Sequence, residues 1–447
     1  MVKSLQGNGV LCFCRADPDI DHISPIVYRL KKDNPNLNIE LLIVDLKNDY
    51  ANDYRLNFIK KCNITVIHIL EVLNINSYFL AAYFKIIKEI DRLSRFNIIR
   101  LVFGNLFIRC IEKYFQNKLN NLDCELFMQN TFHQKPKILI FDQSYEIFYD
   151  HLCEYASAKN IYTVAVPHGH NILENVLIAN HSMYIYSKLA DRLHIDEDQK
   201  QNWKEEWTKR QQKYKLRFDY IVYENFIIPK RYKEIGLLDN DQIVVLGSAR
   251  FCDEWVTKLR EILPDFTFPV VPKNKLKILF LLFKPVYNGF TQELDRTLKF
   301  VSKFPNTFIF IKPHTRNSKY HHLDNNNNVF IDNQYDYPSP SLIDWADLIF
   351  FEPTSTSLDC LKTDKPTICL KNTHANKLIS EKYFNSWEAH CRDDIRDFIW
   401  ESLNDRSSRT YTKEDAQKYL TDMIEPIDKD VLGLYSGFFK DLLSKNY

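Results

Sequence analysis

The chain is predicted to be an α/β protein made of two runs of β–α units, each wound on a largely parallel sheet. Two observations carry that prediction. Short apolar runs of strand length alternate with longer amphipathic stretches almost throughout, the pattern of parallel sheets covered by helices. With 447 residues, the chain has length for two or three domains of about 150 residues, so each run can bury its own core.

Taken in order, the apolar runs predict strands at 10–14, 39–45, 64–68, 137–141, 161–166 and 220–224 in the first half. In the second half they fall at 242–246, 276–283, 307–311, 329–331, 347–351 and 367–370. Helical patterns lie between most of them, as at 146–159, 293–303 and 358–362. Pro264, Pro269 and Pro272 interrupt the stretch from 228 to 275, so the seam is expected there. The resulting division is 1–240, 241–425 and a helical tail at 426–447 opened by Pro426.

Composition removes several classes of function. A net charge of +1, from 59 Lys+Arg and 58 Asp+Glu, argues against a nucleic-acid binder. No apolar run approaches the ~18–20 residues of a membrane span, and the first nine residues lack a signal peptide's apolar core. The expected location is therefore cytoplasmic. Ten cysteines are scattered without a CxxC pair and read as buried thiols. Only 9 residues are glycine, and there is neither a GxGxxG nor a GxxxxGK[ST] segment. A phosphate would have to be held by a helix start dressed with hydroxyls and cations.

Residues 78–118 carry eight Lys/Arg against Glu89, Asp91 and Glu112, mixed with aromatic residues. A helical hairpin with a solvated basic face is the simpler reading. Peripheral contact with an anionic membrane surface is the functional one.

Ligands of open parallel sheets bind beyond the carboxyl ends of the strands. The strand at 137–141 is followed by Asp142, and the one at 161–166 by Pro167-His168-Gly169. The strand at 242–246 runs into Gly247-Ser248-Ala249-Arg250. Lys312-Pro313-His314-Thr315-Arg316 follows 307–311, and Glu352-Pro353-Thr354-Ser355-Thr356-Ser357 follows 347–351. His168, with an ordinary pKa of ~6.5, suits a general base, and Asp142 is the alternative. Lys312, His314 and Arg316 suit an anion. Capping explains one or two of the four hydroxyls at 354–357, and together they would suit a phosphate. Arg250 either meets a phosphate or pairs with Asp253. The alternating carboxylates of Asp17-Pro18-Asp19-Ile20-Asp21 would suit a divalent metal, but the run reads better as a turn and helix cap. No metal and no cofactor is expected.

The ordered set His168-Gly169, Gly247-x-x-Arg250-x-x-Asp253, Lys312-Pro313-His314 and the hydroxyl cluster resembles bacterial GT-B glycosyltransferases of surface-polysaccharide synthesis. CDP-glycerol glycerophosphotransferases are the nearest in pattern, with capsular Kdo transferases and bacterial sialyltransferases sharing elements of it. The match covers roughly residues 137 to 370. Thr315 stands where those enzymes have a second Pro, and Pro167 stands where they often have Trp. The resemblance implies two Rossmann-like domains with a cleft between them and a C-terminal helix crossing back to the first. It implies an acceptor-side first domain and a second domain that binds the nucleotide donor. It further implies that Lys312, His314, Arg316, Glu352 and the hydroxyls at 354–357 hold the donor phosphate. Gly247 and Arg250 would serve the same donor, with His168 or Asp142 as base. The expected partners are a nucleotide-sugar donor, preferably a CMP-sugar, and a glycan or glycolipid acceptor. Two rivals stand beside it. One is an isomerase like UDP-GlcNAc 2-epimerase, whose several carboxylates would have to include Asp142 and Glu352. The other is a non-catalytic nucleotide-binding partner of a polysaccharide assembly complex.

Overall fold

A computed structural model describes residues 9–46, 48, 50–73, 83, 85–86, 107–121, 123–131, 135–143, 147–174, 217–234, 240–283, 289–314, 320, 322–326, 328–384 and 386–445. The chain forms two compact units. The first comprises Met1–Gly169, Thr208–Ile262 and Pro426–Tyr447, and the second His170–Trp207 and Leu263–Glu425.

Seven parallel strands make the sheet of the first unit. They are β1 (Gly9–Cys14), β2 (Asn38–Ile43), β3 (Thr65–His68), β4 (Pro136–Asp142), β5 (Tyr162–Val166), β6 (Tyr220–Tyr223) and β7 (Ile243–Val245). Their order is β3-β2-β1-β4-β5-β6-β7. The chain runs outward from β1 to β3, then returns to pair β4 with the other side of β1. The loops after β1 and β4 therefore part in opposite directions, and the crevice they leave is where such sheets take ligands. Leu11, Phe13, Leu139 and Phe141 are fully buried, and Phe13 stacks on Phe141 with ring centroids 4.8 Å apart.

The helix Asp17–Asp33 follows β1 with a proline in its first turn, where a missing N–H costs nothing. Ile20, Ile23, Val27 and Leu30 recur at helical spacing and are buried in the core of the sheet. The helix Val431–Ser444 joins the same core through Val431, Leu432, Tyr435, Phe439 and Leu442. The Tyr435 hydroxyl donates to the carbonyl of Gly247 at 3.1 Å. Gly247 has φ 94°, a left-handed conformation that a side chain would strain, which gives this glycine its backbone reason.

The second unit is a five-stranded parallel sheet in the order β10-β9-β8-β11-β12. Its strands are β8 (Leu276–Leu281), β9 (Thr307–Lys312), β10 (Val329–Ile331), β11 (Leu348–Phe351) and β12 (Thr367–Cys369). Its reversal lies between β8 and β11, whose Phe280 and Phe350 stack at 5.1 Å.

All twelve predicted strands are present, and one belongs to a different sheet than expected. The sequence pattern groups the segment 242–246 with the second run, but β7 pairs in parallel with β6, Ile221 opposite Ile243. Residues 240–262, Gly247 and Arg250 among them, thus lie in the first unit, ahead of the proline-rich stretch. Of the basic stretch at 78–118, residues 78–82, 84 and 87–106 lie outside the described residues. The helix Phe107–Asn120 exposes Lys113 and Lys118 and buries Phe115 and Leu119. No described helix is long and apolar enough to cross a membrane.

Candidate active site

Three chain segments meet at the β1/β4 reversal of the first sheet. β1 delivers Arg15 and the start of the helix Asp17–Asp33, β4 ends on Asp142, and His168 follows β5. Nδ1 of His168 lies 2.5 Å from Oδ1 of Asp19 and 3.3 Å from Oδ2 of Asp142. Both carboxylates are fully enclosed, whereas 22% of the His168 side chain reaches solvent. Arg15 Nη2 stands 3.4 Å from Asp142 Oδ2 and 3.4 Å from His168 Nε2.

Asp19 does two things at once. Its Oδ2 accepts the backbone N–H groups of Arg15 and Ala16, at 2.9 and 2.8 Å, which caps the helix from within. Its other oxygen holds the imidazole. The cap expected of the Asp17-to-Asp21 run is therefore real, and Asp19 also belongs to the cluster around His168. Asp17 and Asp21 are four residues apart and share a helix face. They pair with Arg55 at 2.7 and 2.5 Å, and Asp21 also meets Arg250 at 3.2 Å. Arg250 thus pairs with Asp21, where Asp253 had been the expected alternative to a phosphate.

The electrostatics follow from enclosure. Burial favours a neutral imidazole, but the carboxylates of Asp19 and Asp142 outweigh it and push the His168 pKa up to about 9. Burial and the nearby Asp142 charge raise that of Asp19. Asp21 moves the other way: burial would raise it, and the guanidinium groups of Arg250 and Arg55 hold it below the usual carboxylate range. His168 accordingly departs from the value of ~6.5 assumed for an unperturbed base. Its Nδ1 proton is held by two carboxylates, and its other ring nitrogen, Nε2, meets Arg15. Asp19, Asp142 and His168 each offer an atom within 4.8 Å of the others, a set that could also hold a metal ion.

In the second unit, Glu352 directly follows β11 at the β8/β11 reversal and is buried. It accepts the Phe283 N–H at 3.1 Å. Burial pushes its pKa up to about 7, against hydrogen bonds from Phe283 and the Thr373 side chain. Nearby His374 is held neutral by burial and by Lys371, with its pKa lowered to about 3. Thr354, Ser355, Thr356 and Ser357 form a turn closed on itself. The Ser357 hydroxyl donates to Thr354 O at 2.9 Å, and the Thr354 and Thr356 hydroxyls are 3.2 Å apart. Thr356 occupies the cap position of a six-residue helix, Ser357–Lys362, without a side-chain cap bond.

Lys312 is buried, and its Nζ bonds to Asp332 at 2.5 Å and to Tyr337 O at 2.6 Å. These contacts tie it to the loop after β10. His314 lies two residues beyond β9, and Arg316 lies outside the described residues.

No protein-family model and no curated protein matches the sequence. Solved structures match in shape. A Listeria monocytogenes protein provisionally named a UDP-N-acetylglucosamine 2-epimerase is 11% identical, over 98% of this chain and 97% of that one, with a TM-score of 0.55. The wall teichoic acid polymerase TagF is 11% identical over 98% and 88%, with a TM-score of 0.51. The fold is GT-B. A UDP-GlcNAc 2-epimerase from Neisseria meningitidis bound to UDP-GlcNAc agrees, at 12% identity over 98% and 100% and a TM-score of 0.50. At such identities the likeness is one of fold, and function has to be argued from the residues.

Proposed function

We propose that the chain is a GT-B transferase that moves a sugar from a nucleotide-activated donor to a glycan or glycolipid acceptor. A CMP-sugar such as CMP-Kdo or another nonulosonate is the favoured donor, with CDP-glycerol and UDP-sugars behind it. The observation that carries the reading is His168, solvent-accessible at a ligand-binding reversal and backed by two enclosed carboxylates. Such a pairing makes a strong base. Nε2 takes the proton of the acceptor hydroxyl, the oxygen attacks the anomeric carbon, and the donor's phosphate oxygen leaves with the bonding electrons. In the second unit, His314 and the hydroxyl-rich turn at 354–357 are the groups suited to a donor phosphate. Attack opposite the leaving group inverts the anomeric centre, as the family resemblance implies.

Asp19 supports a second reading. It stands with Asp142 beside His168, and several carboxylates are what an isomerase of the 2-epimerase kind uses.

The test is product analysis of CMP-, CDP- and UDP-activated sugars with and without oligosaccharide acceptors. Sugar transfer that requires acceptor supports the first reading. An epimer formed from donor alone replaces it with the second. Binding without turnover of any donor leaves only a nucleotide-binding assembly partner.

A further inference from the structure

Arg15, the first residue past β1, divides the first-sheet site by charge. The carboxylates of Asp19 and Asp142 are wholly enclosed, while Arg15 and His168 keep 29% and 22% of their side-chain surface. A substrate entering the β1/β4 reversal therefore meets a guanidinium and an imidazole side by side, with the balancing carboxylates behind them. Arg15 Nη2 also lies 3.4 Å from Nε2, the edge of the imidazole that a reacting hydroxyl must approach. Something has to draw the guanidinium aside as that hydroxyl arrives. An anion does so, because a guanidinium pairs with phosphate or carboxylate through two parallel N–H bonds. A neutral polyol has no comparable hold on it.

We infer that the acceptor is a hydroxyl-bearing anion, its phosphate or carboxylate seated on Arg15 and its hydroxyl on Nε2 of His168. The inference rests on the transferase reading and narrows its acceptor class. On reaction the hydroxyl proton passes to Nε2 and the oxygen bonds to the donor sugar as the nucleotide phosphate departs. The anion on Arg15 takes no part in bond making.

The test uses the whole chain and three small probes: 2-hydroxyethyl phosphate, glycolate and ethylene glycol. Binding is read by calorimetry and by the His168 imidazole resonances in nitrogen-15 NMR. The expected result is saturable binding of one or both anions with a shift at His168, and none with ethylene glycol. Whichever anion binds names the group. Arg15→Gln is expected to weaken that binding about tenfold or more, the loss of a charge-assisted pair. Arg15→Lys keeps the charge and should retain part of it, and the melting temperature of each variant reports whether it folds. Equal binding to Arg15→Gln and wild type, or no anion-induced shift at His168, overturns the inference. Failure of the parent reading looks different. If the anions bind through Arg15 but no nucleotide-sugar is ever consumed, the transferase reading falls and the anion site stands. If transfer proceeds to neutral acceptors with KM unchanged in Arg15→Gln, the transferase reading stands and the anionic acceptor falls.

Discussion

Nδ1 of His168 lies 2.5 Å from Oδ1 of Asp19, a residue 149 positions earlier in the chain. Parallel strands β1 and β5, separated in the sheet by β4, bring the two together. Asp19 is fixed from its other side by the backbone of Arg15 and Ala16, so its position does not depend on the imidazole.

That arrangement sets a pH dependence for turnover. With the His168 pKa at about 9, kcat/KM is expected to rise with pH and level off near that value. Asp19→Asn removes one carboxylate and should move the midpoint down toward ~6.5. His168→Ala should lower kcat by about 10²–10⁴ while nucleotide binding, read by calorimetry, persists. A profile that is flat or falls between pH 6 and 9 excludes His168 as the base.

Folding stability should carry the same signature with the opposite slope. The folded-state pKa of His168 lies above its ordinary 6.5, so the folded chain binds the proton more tightly than the unfolded one. The stabilisation is complete below pH 6.5 and is lost as pH rises through about 9. Its full size is at most about 3 kcal/mol. Denaturant melts from pH 6 to 10 should show the decline in wild type and a shallower one in His168→Asn.

Glu352 is also held above its ordinary value, 4.5, at about 7. Its contribution is present below pH 4.5 and is lost as pH climbs through 7, when a buried carboxyl has to ionise. Glu352→Gln mimics the protonated form. It should be near neutral in stability at pH 4 and should raise the melting temperature at pH 8. An unchanged or lowered melting temperature at pH 8 means that the ionised carboxylate has a partner that stabilises it.

Lys312 and His314 stand two residues apart and should behave differently. Lys312→Met leaves the buried carboxylate of Asp332 uncompensated, at a cost of about 3–5 kcal/mol. His314→Ala should abolish the stabilisation given by the donor nucleotide, which at 100 times Kd is worth ~2.7 kcal/mol in wild type. Thermal melts of both variants with and without CMP, CDP and UDP make the comparison.

The fold was legible because parallel strands buried on both faces are continuous apolar runs, and β1, β4, β8, β9 and β11 all read that way. Sheet membership was not, since the pattern of 242–246 says that it is a strand and nothing about which edge it joins. Asp142 and His168 were visible as strand-end residues. Asp19 reads as a cap because its cap bonds are local while its second partner is remote. The available signal was its place after β1, the strand at which the sheet order reverses. Lys312 shows the converse. Lys-Pro-His at a strand end looks like an anion site, but an aspartate 20 residues later takes up the lysine.

The helix Val431–Ser444 completes the hydrophobic core of the first sheet, although the whole of residues 263–425 is translated before it. On the ribosome, the second unit's segments are therefore all available while the first still lacks Tyr435 and Phe439. The nascent seven-stranded sheet must wait with an uncovered apolar face, a natural place for a chaperone to hold the chain.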